Sequence, residues 1–328
     1  MTRTHTESGP RPSRAAIILA FAAVYVLWGS TYLAIRYAIE TLPPFLMAGT
    51  RFMIAGAILF TWAKFNGERL NSSWAQWRLA FALGALFLLC GNGGVTWAEK
   101  YIASGLAALL VATEPLWVVM LNWAWTRRRP NAKVMFGVLI GLAGVALLVG
   151  GGLNHGKPIS TMTFAGAGVV LLSGVAWAGG SVYSSRNPIK ATTSVASGMQ
   201  MLAGGSLLFL LGLVTGDVKR LNFAGMSWVS LGAFGYLLVF GSLVAFTAYS
   251  WLLRHVTPAR AATYAYVNPA VAVFLGWLLA DEPLTLRMLL AAAVIVCSVV
   301  LITTFGGEHA HSAAPSIHDS ECPTHPCA

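Results

Sequence analysis

Charged residues are scarce in this chain. They make up 10% of its 328 residues, against 57% hydrophobic residues, and the mean hydropathy is +0.69. A soluble globular domain carries about 25% charged residues. The composition therefore excludes an ordinary soluble domain and indicates a polytopic membrane protein.

Cysteine is also rare, and its spacing excludes two further kinds of site. Cys90 and Cys297 lie inside apolar segments, where Cys behaves as a small hydrophobe. No CxxC pair or zinc-ligand spacing occurs, so we predict no metal site, redox centre or other cofactor. Metal capture by the C-terminal tail is the alternative, since that tail holds His309, His311, His318, His325, Cys322 and Cys327 at irregular spacing.

Patterns typical of enzymes, channels and nucleic-acid-binding proteins are missing too. No predicted span contains a His, so an intramembrane enzyme with a His–carboxylate set is disfavoured. There is no filter loop or ring-forming charge pattern, and no nucleotide-binding motif. The formal net charge is +10, but the basic residues occur singly or in short runs without a stacking platform. We therefore expect neither an enzyme nor a nucleic-acid partner.

Ten apolar segments fill most of the chain. Each has about the 20 residues that a helix needs to cross the hydrocarbon. They are 15–35, 44–64, 77–98, 101–124, 132–150, 164–184, 194–214, 227–253, 258–279 and 286–306. Because lipid offers the backbone no hydrogen bonds, we predict an all-α protein. The polar segments 1–13 and 307–328 are predicted to be tails.

The distribution of basic residues predicts the orientation. If the N-terminus is cytoplasmic, 14 of the 21 Lys and Arg residues lie inside and six outside, with Arg51 in a span. An excess of Lys and Arg marks cytoplasmic loops. We therefore predict an integral protein of the bacterial inner membrane with both termini in the cytoplasm.

The chain contains an internal duplication. At an offset of 154 residues, Trp97 falls on Trp251, Pro115 on Pro269 and Trp123 on Trp277. At an offset of 149, Trp28 falls on Trp177, Gly49 on Gly198 and Gly56 on Gly205. We place one repeat at 14–151 and the other at 163–306. Five spans per repeat is an odd number, so the second repeat is predicted to be inverted, as in many alternating-access carriers.

The fourth and ninth spans are each interrupted by a polar–Pro pair, Glu114-Pro115 and Asn268-Pro269. Glu114 lies ~20 Å down its helix from Tyr101, close to the midplane, where burial favours the neutral acid. Intramembrane acids are expensive and often functional. Glu114 is therefore either a proton carrier or amine ligand, or a neutral acid that satisfies backbone groups freed by Pro115.

Other polar and aromatic residues inside the spans are candidate substrate ligands. Arg51 could bind a carboxylate, snorkel to the surface or pair with Glu99. Asn268, with Tyr264 one turn earlier, could bind substrate or only the local backbone. Trp28 and Trp177 lie near mid-span, away from the interfacial belts typical of Trp, and either line a cavity or pack between helices. The remaining candidates are Asn92, Trp117 and Gln200.

Four sequence stretches carry a resemblance to a known family. They are Leu27-Trp28-Gly29-Ser30-Thr31-Tyr32, Pro43-Pro44-Phe45, Gly91-Asn92-Gly93 and Tyr264-Ala265-Tyr266-Val267-Asn268-Pro269. The chain resembles the EamA-type drug/metabolite transporters over residues 15–306, and among them the YedA-type inner-membrane exporters. The resemblance implies ten helices in two inverted EamA repeats around a central cavity. It also implies efflux of small metabolites, often amino acids or drug-like amphiphiles.

These observations predict a secondary transporter that exports small molecules by alternating access. The sequence leaves two mechanisms open: coupling to protons through Glu114, and facilitated transport without coupling. The expected partners are a small-molecule substrate and the lipid bilayer, with the chain a monomer or a homodimer.

Overall fold

A computed structural model describes residues 13–70, 72–127, 129–150 and 160–306. Within these ranges the ordered elements are helices, with no β-strand. The proposed tails, including the candidate metal ligands of the C-terminal one, lie outside the described residues.

Ten helices follow one another along the described chain, α1 to α10. Their bounds are Arg14–Ala38, Pro44–Phe65, Trp74–Ala98, Ser104–Thr126, Ala132–Gly150, Thr161–Arg186, Thr193–Val214, Trp228–His255, Pro258–Ala280 and Leu286–Gly306. Eight are long and apolar enough to cross a membrane, and α5 and α10 hold shorter apolar stretches, Ala132–Leu147 and Leu286–Ile302. The predicted all-α architecture is confirmed. Helix α8 ends at His255 rather than at 253, so the expectation that no span contains a His is wrong at this helix end.

Serine or threonine residues cap the N-termini of several of these helices. The Ser73 side chain accepts a hydrogen bond from Gln76 N at the start of α3, and Ser227 does the same for Ser230 N at the start of α8. Such side chains satisfy amide groups that the first turn leaves free. Ser73 and Ser227 are equivalent at the 154-residue offset, so the duplication includes the helix starts.

The same offset relates three pairs of backbone irregularities. A π-helix spans Ala85–Asn92 in α3, and another spans Leu237–Phe246 in α8. Helix α4 breaks between Val111 and Glu114, and α9 passes through a 3-10 segment before resuming at Asn268. The second halves of these two helices end at Arg127 and Asp281, both left-handed with φ of 57° and 50°. The two repeats therefore share their exceptional geometry.

Helices α2 and α7 pack against each other in antiparallel orientation through glycines. A β-carbon on Gly49 would lie 2.6 Å from Phe209 N and 3.0 Å from Gly205 O, while one on Gly56 would lie 3.0 Å from Gly198 O. At the 149-residue offset Gly49 corresponds to Gly198 and Gly56 to Gly205. The contact is therefore reciprocal, as a two-fold axis between inverted repeats requires.

Hydrogen bonds define the two ends of the bundle. We call one end the Glu282 face, where the loops after α1, α3, α7 and α9 meet. At this end Phe45 N donates to Asp217 Oδ2 (2.9 Å). At the other end, the Arg254 face, Arg254 Nη1 donates to Ala191 O (2.6 Å). Which face is cytoplasmic stays a prediction from the basic residues.

Candidate functional site

A cavity with about 700 Å³ of empty space, including its mouth, lies between the two repeats. Helices α1, α2, α3, α4, α6, α8 and α9 line it. Toward the Glu282 face the cavity is lined by Ile35 and Val95, which lie three residues before the ends of α1 and α3. From there the lining extends to Glu114 at the break of α4.

Glu114 is the acid of this central cavity. It is fully buried and lies in the first turn of the second half of α4, where Pro115 fits because that position needs no amide donor. The Tyr264 hydroxyl donates a hydrogen bond to Glu114 Oε2. Glu114 Oε1 has no partner among the described residues. A buried carboxyl group beside a cavity, with one oxygen unpaired, can bind an amine or carry a proton.

Arg51 is the cation of the same cavity. It is 2% exposed, its Nη2 donates to Asn92 Oδ1 (2.8 Å), and its guanidinium lies 4.2 Å from the centroid of the Phe52 ring. It therefore neither snorkels nor bonds to Glu99. Arg51 Nε has no partner within the described chain, which leaves a donor for an anionic group.

Aromatic side chains border the cavity between its charged groups and the Arg254 face. The ring centroids of Trp28 and Trp177, equivalent residues of the two repeats, are 5.3 Å apart. Trp28 also contacts Tyr249 at 5.0 Å and Tyr264 at 5.3 Å. Its Nε1 donates to Gly241 O (3.2 Å), a carbonyl of the π-helix in α8. This aromatic cluster offers a face for apolar or aromatic parts of a ligand.

The structure thus brings together six of the residues that the sequence singled out as substrate ligands: Trp28, Arg51, Asn92, Glu114, Trp177 and Tyr264. Three others lie outside the cavity lining. Trp117 donates to Thr113 Oγ1 (3.0 Å) and packs α4 against α6 beside Gly174. Gln200 is buried where α7 meets Gly84 of α3, and Asn268 is buried beside Gly29 of α1.

Sequence reasoning missed two tyrosines of this region. Tyr32 lines the cavity and lies four residues after Trp28, so the helical spacing of α1 could have indicated it. Tyr249 is fully buried, contacts Trp28 and Trp177, and shares a hydrogen bond with Ser181 Oγ (2.7 Å). Its counterpart in the first repeat is Val95, so the duplication gave no signal for it.

A second group of charges lies at the Glu282 face. Glu282 accepts from Arg36 Nη1 (2.7 Å), from Ser104 N (2.9 Å) and from Gly105 N (3.0 Å). These bonds join the end of α1, the start of α4 and the loop after α9. The carboxylate also lies at the N-terminus of α4, a favourable place for negative charge.

Glu99, just beyond the end of α3, lies near this group. It is 6% exposed, and neither of its carboxyl oxygens has a hydrogen-bond partner in the described part of the chain. Burial raises the pKa of the Glu99 carboxyl well above its usual value, and the charge of Glu282 adds to the rise. Glu99 is therefore favoured as the neutral acid.

No group of three or more His, Cys, Asp and Glu residues that could hold a metal ion occurs in the described ranges. The polar groups of the cavity suit a small organic ligand: one cation, one acid, one amide and several hydroxyl groups.

Comparisons with known proteins agree with this architecture. Residues 14–150 and 164–304 each match the EamA-like transporter family. The chain is 39% identical over 299 residues to the uncharacterized inner membrane transporter YedA of Escherichia coli K12, covering 91% of this chain and 93% of the relative. It is 26% identical to the uncharacterized transporter YvbV of Bacillus subtilis, covering 89% of this chain and 92% of that protein.

A solved crystal structure supports the fold. It aligns with a TM-score of 0.63 at 23% identity and covers 89% of this chain and 98% of its own. The duplicated ten-helix bundle and the two matched segments together lead to one assignment: the chain is an integral membrane protein of the EamA-like transporter family, built from two EamA repeats.

Proposed function

We propose that this chain is a secondary exporter of small amphiphilic metabolites, amino acids or drug-like compounds, across the bacterial inner membrane. The observation that carries the proposal is that Arg51 and Glu114 line one buried cavity between the repeats, next to an aromatic cluster. A carboxylate on the substrate would pair with Arg51, an amine with Glu114, and an apolar side chain with Trp28 and Trp177.

Alternating access is supported by the reciprocal packing of α2 against α7. Two repeats of the same fold in opposite orientation can exchange conformations about a shared site. The cavity extends toward the Glu282 face, whereas the aromatic cluster lies on its Arg254 side. Export would require the repeats to reverse this arrangement.

Coupling to protons is the finer part of the proposal and rests on Glu114. Each inward proton supplies about 2.3 kcal/mol per 100 mV of membrane potential and about 1.4 kcal/mol per pH unit. One proton per cycle could therefore sustain a substrate gradient of well over tenfold. Tyr264 donates a hydrogen bond to one oxygen of the buried Glu114 carboxyl group, and the other oxygen can take up a proton.

Counterflow in liposomes tests the function. Vesicles containing the purified chain are loaded with unlabelled compound and diluted into a trace of the labelled form, using a panel of amino acids and amphiphilic amines. We expect transient, saturable accumulation of at least one compound, and its loss in Arg51→Gln if that compound carries a carboxylate. Linear, non-saturating flux would identify a pore and contradict the proposal.

A further inference from the structure

A second cavity opens on the outer surface of the bundle. This side groove, with about 1500 Å³ of empty space including the open space at its mouth, runs between α3, α6 and α7. Its lining includes Leu89, Cys90, Leu172, Ala176, Leu207 and Leu210. Leu172 and Leu210 are 69% and 55% exposed. In a membrane protein such apolar side chains face the hydrocarbon, so the side groove is open to the bilayer.

The wall between the side groove and the central cavity is thin. Ser173 lines both of them. Its hydroxyl donates to Cys90 O (2.8 Å) and Val169 O (2.8 Å). On α3 it faces Gly94, where even a β-carbon would lie 2.1 Å from Ser173 Oγ. A hydroxyl and a glycine, with no large side chain, therefore form the partition at this point.

The equivalent point of the other repeat is built differently. At the offsets of the duplication, Gly94 corresponds to Ala248, Cys90 to Val244 and Ser173 to Val24. Val24 is fully buried in the hydrophobic core. The fold can thus accommodate bulkier, apolar side chains at this position. The partition made of small residues is found between α3 and α6 and not at the equivalent point of the other repeat.

We infer that the side groove binds the alkyl tail of an amphiphilic substrate whose polar head occupies the central cavity. The inference rests on the proposed function, and it adds a route for the tail that the cavity does not provide. The side groove and the central cavity both reach toward the Glu282 face, since Trp97 lines the first and Val95 the second. An amphiphile could therefore keep its tail in the bilayer while its head meets Glu114.

Native Cys90 provides a direct probe, because it is a free, exposed thiol in the side groove. The full chain, with Cys297, Cys322 and Cys327 replaced by Ala, is reconstituted in liposomes and labelled with a lipid-soluble maleimide. We expect dodecylamine to slow the labelling of Cys90 several-fold and butylamine to leave it unchanged. The control carries Leu139→Cys with Cys90→Ala, because Leu139 is an exposed α5 residue outside the groove lining.

Two variants test the link between head and tail. Glu114→Gln removes the acid that would hold the amine, so the protection of Cys90 should disappear. Ser173→Val introduces the partition of the other repeat and should also abolish protection, whereas Ser173→Ala should keep it. Protection that persists in Glu114→Gln, or equal slowing at Leu139→Cys, would overturn the inference.

The labelling does not depend on transport. Saturable counterflow without protection of Cys90 would refute the side groove and leave the exporter standing. Protection of Cys90 by dodecylamine, lost in Glu114→Gln, would establish the tail site even if no compound showed counterflow.

Discussion

Glu114 is the residue on which the proposed coupling to protons would depend. Glu114→Gln preserves size and can still accept a hydrogen bond from Tyr264, but it cannot release a proton. We expect the variant to lose uphill transport driven by a pH gradient, while exchange between the two sides continues for a substrate that carries no amine and so does not need Glu114 for binding. Both rates are measured in the same liposomes with the compound that gives counterflow.

Glu99→Gln is the matched comparison for that experiment, since Glu99 is a second buried acid outside the cavity lining. It should keep uphill transport. If Glu114→Gln still concentrates substrate, Glu114 only supports the break at Pro115. Loss of uphill transport in Glu99→Gln instead would assign the coupling to Glu99.

Glu99 should also make the fold sensitive to pH. Burial and the charge of Glu282 raise the pKa of its carboxyl well above 4.5, while Arg36 lowers it. When pH rises above about 4.3, Glu ionises in the unfolded chain, but folded Glu99 keeps its proton. Stability is therefore lost as pH rises through the folded pKa. We expect the thermal midpoint in detergent to fall with pH, and less steeply in Glu99→Gln. Equal slopes would contradict this account.

The close contact between α2 and α7 limits the size of the side chain that its glycine positions can accommodate. Gly49→Ala puts a β-carbon 2.6 Å from Phe209 N, and a backbone atom cannot move aside as a flexible side chain would. Overpacking of this kind costs about 1–3 kcal/mol. We expect a lower thermal midpoint in detergent.

Gly235→Ala is the matched control for that substitution. Gly235 lies in α8, and a β-carbon added there would have open space around it, with no atom of a neighbouring described helix within 4 Å. Ala is favoured over Gly in a helix by up to about 1 kcal/mol. This variant should be as stable as the parent or slightly more so. Equal destabilisation of both variants would mean that the α2–α7 contact is looser than described.

Sequence patterns predict where these helices lie better than they predict where the helices depart from regular α-helical geometry. Gly91-Asn92-Gly93-Gly94 indicates a weak point in α3, and a π-helix does end at Asn92. However, each π-helix contains only one glycine, Gly91 in α3 and Gly241 in α8, and no glycine cluster occurs where the π-helix of α8 ends at Phe246. Glycine content therefore does not determine these segments. A π-turn changes which side chains face the cavity, and that depends on packing across helices that local sequence does not encode.

The candidate site divides in a similar way. The duplication makes Trp28 and Trp177 predictable as a pair, because equivalent residues near a two-fold axis can meet. The bond between Glu114 and Tyr264 joins residues 150 positions apart and depends on how α4 and α9 cross. Asn268 has the same place in its repeat as Glu114, yet it packs beside Gly29 and not against the cavity. Repeat equivalence fixes depth in the bundle but not the direction of a side chain.

At the scale of the whole molecule, orientation in the membrane is the open prediction. The distribution of basic residues predicts that the Arg254 face is cytoplasmic and the Glu282 face external. Lys190 and Lys219 are both exposed, one near each face. We expect a membrane-impermeant maleimide to label Lys219→Cys but not Lys190→Cys in intact cells that carry these variants in a chain without other cysteines. The reverse pattern would invert the topology.

The reciprocal contact of α2 with α7 also has a consequence for the ancestry of the chain. Gly49 meets Gly205, and Gly56 meets Gly198, so each repeat offers the other the same surface that it receives. A free-standing five-helix ancestor with this surface could have paired with a copy of itself inserted upside down. Such an ancestor would have needed to enter the membrane in both directions, with little preference for either. Fusion of two copies removes that requirement, and each half is then free to acquire its own charge bias and its own side chains.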